Sequence, residues 1–170
     1  MMGTSELAER ILFGTTMEDK LFDGGPLVAD GGVKPIRTTP DAPGRPSQLA
    51  LDAWHRRQRT RFVDVRAFHS EKERGLVLHF FANHELLALE LMALALLKFP
   101  NAPAGFRQGL VATLRDEQMH LRLYMQRMEE IGVEFGEIPV SDFFWRAIAP
   151  MESPVDFVAG LSLTLEQANL

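Results

Sequence analysis

The chain has 170 residues, 46% of them apolar, with 18 basic against 23 acidic side chains and a formal net charge of −5. That length and apolar content suit one substantial core in one domain, and the acidic balance gives no global reason to bind nucleic acid. There is no cysteine, which excludes disulfides, thiolate zinc sites and cysteine nucleophiles together, so any metal must be held by oxygen and imidazole.

The opening MMGTSELAER is acidic where a signal peptide is basic, and no apolar run approaches the ~20 residues of a membrane span. The sequence reads as a cytoplasmic, soluble protein with no membrane partner. Ser5 to Phe13 have helical spacing, with Leu7, Ile11 and Leu12 on one side and Glu6 in the first turn. A second brief turn is predicted from Thr16 to Phe22, capped by Thr16 and packing Met17, Leu21 and Phe22. From Asp23 to Pro46 the chain runs DGGPLVADGGVKPIRTTPDAPGRP, too rich in glycine and proline for a helix or a central strand. This stretch is read as an irregular arm lying over the domain, anchored by Leu27, Val28, Val33 and Ile36. Further on, Arg56, Arg57, Arg59, Arg61 and Arg66 stand near Trp54 and Phe62. Such a run can track phosphate, but in an acidic chain a solvated, acid-paired surface is the simpler reading, and nucleic acid is not the expected partner. Residues 1–69 are thus assigned to an N-terminal arm and 70–170 to a helical bundle.

The first long helix is predicted to start at Ser70, where Ser70 and Glu73 form a capping box, and to continue to Lys98 before Pro100 stops it. Apart from Glu90, Leu86 to Leu97 is apolar nearly all round, which marks a central helix. The connection FPNAPAG is short, so the next helix, from about Pro103 to Ile131, must run back beside the first, with Gly132 as its stop. Leu114, Glu117, His120, Leu121, Tyr124 and Met128 share one face of it. After a long connection containing the short helix DFFWRAIA, a third long helix opens at Ser153 and Pro154, with Ala159, Leu163, Glu166 and Leu170 assigned to its core face.

Two stretches carry chemistry, HELLALELMALALL on the first long helix and DEQMH on the second. Bundles that hold two iron or manganese ions use one glutamate from each of two helices and a Glu-x-x-His from each of the other two. Glu85 fits the single glutamate of one helix and Glu166 that of another. Glu117 would bridge the ions and His120 bind one of them. Asp116, four residues before His120, is placed to receive the imidazole's second N–H, as outer partners of metal ligands do, and Tyr124 lies one turn beyond. Carboxylates suit iron(II) or manganese(II), and a single imidazole per ion leaves positions open for dioxygen. Each motif alone has a simpler account, since a lone Glu-x-x-His arises by chance and a buried glutamate can pair with arginine. Together on adjacent helices, Glu85, Glu117 and His120 are costly to bury unless a cation compensates. Glu90 is turned about 140° from Glu85 and cannot face the same site. His79 and His84 are read as core histidines.

HELLALELMALALLKFP, RDEQMHLRLYMQRMEEIGVEFGEIP, the ending LTLEQANL and the opening ERILFGTTMEDKLF resemble the bacterial ferritin-like family catalogued as domain of unknown function 455. The resemblance covers essentially the whole chain and implies an all-α, ferritin-like four-helix bundle with a di-metal site. Where that family usually has a histidine and an aspartate, this sequence has Ser141 and Asp142. The family also continues into a fourth helix bearing a second Glu-x-x-His, so three of the four helices are expected here. The faces left open call for that continuation or for a homodimer. The leading expectation for function is an O2-dependent oxidase or oxygenase of a small molecule. A non-catalytic partner-binding bundle with an incomplete site and a tRNA- or nucleobase-modifying hydroxylase are the alternatives, and a ferritin-type cage is disfavoured by the long arm.

Overall fold

The structure, a computed structural model, describes residues 1–29, 33–51 and 70–168, and the side chains among these as far as Leu163. The described chain is mostly helical: α1 (Thr4–Phe13), α2 (Met17–Lys20), α3 (Glu71–Lys98), α4 (Ala104–Ile131), α5 (Phe143–Ile148) and α6 (Pro154–Ala168), with a 3₁₀ turn at Ser47–Leu49. The arginine run and Trp54 lie outside the described residues.

The helix ends follow local chemistry. Ser70 accepts the Glu73 N–H at 3.2 Å and starts α3, while Gly132, at φ 78°, closes α4 in the left-handed conformation that glycine tolerates best. Both long helices have 28 residues, about 42 Å each, and pack as a hairpin. Near the open end of this hairpin Gly75 meets the turn after α4, where a Cβ would lie 2.5 Å from Val133 Cγ2. By length and composition α3 could cross a membrane, with a mean hydropathy of 1.5 over 18 residues, yet 83% of that window is buried inside the protein. Its apolar surface is that of a core helix, covered by α4 on one side and by α1 on another.

The arm joins the same core. Leu7, Ala8, Ile11 and Leu12 of α1 are fully buried in one cluster with Leu86 to Leu96. Thr16 caps α2 by accepting the Asp19 N–H at 3.1 Å. Leu27 and Ile36 pack against the core, Val33 is half-buried and Val28 is 37% exposed. The arm is also less irregular than its glycine and proline content predicts, because Leu27–Val28 forms a strand (β2) parallel to Met2–Gly3 (β1). Side chains of α4 hold its carbonyls: Gln118 Nε2 donates to Lys20 O at 2.9 Å and Phe22 O at 3.0 Å, Arg115 to Asp23 O at 3.1 Å, and Arg122 to Leu21 O.

One expectation is corrected on α6. Leu163 is 61% exposed and Ala159 is exposed, whereas Phe157 and Leu161 face the core. In PVDFVAGLSL apolar residues fall on every side, so periodicity does not discriminate between faces, and Phe157 buries more apolar area than Ala159 can.

Candidate metal centre

Glu85 projects from the middle of α3 toward α4, where Glu117 and His120 are three residues apart and therefore on neighbouring positions of one face. One donor atom from each of the three lies within 4.8 Å of the other two. His120 Nδ1 is 3.0 Å from Glu117 Oε2. The site is graded in exposure: Glu85 is half-buried, and the Glu117 side chain is 15% and the His120 side chain 45% exposed. His120 thus forms the solvent edge rather than the interior.

Burial pushes the Glu85 carboxyl up to about 9, helped by a hydrogen bond to Glu117 and by the charge of that neighbour. Two carboxyl groups this close cannot both ionise without a counter-charge, so they share a proton. A divalent cation is the natural replacement for that proton, and the donor set of two carboxylates and an imidazole is chemically suited to iron(II) or manganese(II). Tyr124 stands close by. Its phenol is raised by burial and then by the charges of Glu85 and Glu117, and its ring stacks on Phe81 at 6.2 Å and 21°.

Asp116 does not take the outer role assigned to it. It is exposed, and among the described residues no hydrogen bond joins it to His120, whose Nδ1 faces Glu117 instead. Asp116 is turned about 100° from Glu117, toward solvent. Glu166 belongs to α6, and its side chain lies outside the described ones.

Glu90 is turned away from the site into a fully buried ion cluster. Lys20 Nζ is 3.1 Å from Glu90 Oε1, Arg45 Nη2 is 2.6 Å from Glu90 Oε2, and Arg45 Nη1 donates to Asn83 Oδ1 at 3.0 Å. Lys20 also donates to Ile11 O at 2.5 Å. Burial holds the lysine below its usual value, partly opposed by Glu90. Sequence reasoning did not find Lys20 and Arg45, because both come from the arm and nothing nearby in sequence marks their partner.

The two core histidines differ. His79 Nε2 accepts the Gly136 N–H at 2.9 Å, and burial lowers the imidazole to about 4. His84 is also lowered to about 4 by burial, but among the described residues its Nδ1 has no hydrogen-bond partner.

No curated protein and no solved structure matches the chain. Its sequence does match, over residues 4–170, the family described as "Protein of unknown function (DUF455)", and the chain belongs to that family.

Proposed function

We propose that the protein is a carboxylate-bridged di-metal protein of the ferritin-like four-helix type, acting as an O2-dependent oxidase or oxygenase on a small molecule. The observation that carries this reading is the convergence of Glu85, Glu117 and His120 from two antiparallel helices, with donor atoms within 4.8 Å of one another. In bundles of this type the six ligands are two single glutamates and two Glu-x-x-His pairs. Glu85 takes the place of one single glutamate, and Glu117 and His120 that of one pair. The connection from Gly132 to Ser153 is long enough for the crossover such bundles use.

Two iron or manganese ions held by these residues would supply the electrons that dioxygen reduction requires. The chain's own contribution is electrostatic and positional. Glu85 holds a proton that a cation displaces, Glu117 lies between Glu85 and His120, and Tyr124, stacked on Phe81, stands near enough to the carboxylates to feel their charge. Met119 and Leu123, one turn apart on α4 and 50% and 57% exposed, favour the second reading, a partner-binding bundle.

Anaerobic loading with iron(II), followed by an O2 pulse and measurement of O2 uptake, separates the two. The oxidase reading expects uptake faster than iron(II) in buffer, abolished by Glu85→Ala or Glu117→Ala. Iron binding without accelerated uptake rejects the oxidase and favours the partner-binding reading.

A further inference from the structure

Tyr124 is the only tyrosine in the chain. It follows Glu117 by seven residues and His120 by four, so its side chain leaves α4 within about 40° of both. Long side chains on a helix lean toward its N-terminus, which for Tyr124 is the turn that carries those two residues. Across the hairpin Phe81 stands one turn before Glu85, and the Tyr124 ring stacks on it at 6.2 Å and 21°. The half-buried phenol is thus held on an aromatic face one turn from the three donors, near enough to feel the charges of Glu85 and Glu117. Among the described residues no hydrogen bond engages its hydroxyl.

The donor count leaves room for this oxygen. Glu85, Glu117 and His120 supply one atom each within 4.8 Å, half of what an octahedral ion takes. A ring that only fills the core needs no hydroxyl, since phenylalanine would stack on Phe81 without bringing a polar group to be desolvated beside two carboxylates. A phenolate is a hard, anionic oxygen donor known to hold iron in proteins, and its charge favours a trivalent over a divalent ion.

We infer that Tyr124 is a fourth protein ligand of the centre, binding iron(III) through its phenolate oxygen beside Glu85, Glu117 and His120. This rests on the metal reading of that site and deepens it, because a phenolate selects iron over manganese and favours the oxidised ion. Ligation breaks the phenol O–H bond, forms an oxygen–iron(III) bond and releases the proton to water at the exposed His120 edge. No electron is transferred.

The test loads the full chain with iron(III) from its citrate complex and records the visible absorption. Phenolate on iron(III) gives a charge-transfer band that carboxylate and imidazole do not, and the single tyrosine leaves one assignment for it. The parent should show the band. Tyr124→Phe, which keeps a ring against Phe81, should lose the band and bind iron(III) at least about tenfold more weakly, while manganese(II) still binds as read by its free-ion electron paramagnetic resonance signal. Iron(III) bound by the parent without the band, or a band that persists in Tyr124→Phe, overturns the ligand and leaves the metal centre in place. Equal loss of iron(III) and manganese(II) in the variant also overturns it, because a purely structural tyrosine would produce that result. If the variant does not fold, resonance Raman spectra of the iron(III)-loaded parent decide alone: tyrosinate modes support the ligand, and their absence overturns it. A parent that takes up neither ion removes the metal reading and the ligand with it.

Discussion

At Glu85 the carboxyl is raised from 4.5 to about 9 by burial and by Glu117. A carboxyl whose folded value is raised contributes stability that is present below about 4.5 and is lost as pH rises through about 9. The metal-free protein should therefore lose stability across that window. Glu85→Gln keeps a neutral group there, so denaturant titrations of this variant should show a flatter profile at alkaline pH. If the slope is unchanged, Glu85 is not the group that holds the proton. Loading with a divalent ion at neutral pH should release about one proton, seen in calorimetry as a dependence on the ionisation enthalpy of the buffer. His79 acts in the opposite sense. Its folded value is lowered from 6.5 to about 4, so its contribution is present above 6.5 and is lost as pH falls through about 4. His79→Gln, which can still accept the Gly136 N–H, should retain more stability in acid than the parent protein, as read by denaturant titration across that range.

At the scale of elements, the sequence was most legible where structure depends on local chemistry. Ser70 and Gly132 lie at the expected ends of α3 and α4 because a cap needs only its neighbours in sequence. The facing of Glu85 and Glu117 followed from helical spacing and the short turn after Lys98. Where apolar residues surround a helix, as on α6, spacing chose the wrong face, and Leu163 is exposed while Phe157 is buried. The ion cluster could not be read at all, since Arg45 meets Glu90 from 45 residues away and from a glycine- and proline-rich segment. Its energetic consequence is large. Glu90→Gln leaves Lys20 and Arg45 buried without a counter-charge, and a loss of about 3–5 kcal/mol in unfolding free energy is expected. A loss below about 1 kcal/mol in urea titrations would mean that water reaches the cluster.

At the scale of the molecule, arm and hairpin form a single packed body. α1 is buried against α3, Lys20 and Arg45 both pair with Glu90, and Gln118, Arg115 and Arg122 hold carbonyls between residues 20 and 25. The arm was read from sequence as lying over the domain, and its apolar anchors were partly visible. Its polar attachments were not, because they run from α4 side chains to backbone carbonyls and leave no pattern in the arm itself. One cooperative unfolding transition is therefore expected, with amides of Leu7 to Leu12 exchanging as slowly as those of Leu86 to Leu96. Fast exchange in α1 alone would show that the arm opens independently. The central claim remains that the hairpin holds a metal. Its most direct measurement is manganese(II) binding followed by the electron paramagnetic resonance signal of the free ion, in the parent chain and in Glu85→Gln and Glu117→Gln. The parent should remove the free-ion signal, and each variant should weaken binding at least about tenfold, in the range seen when partners of a metal site are lost. Equal binding in all three proteins, or none in the parent, would contradict the account.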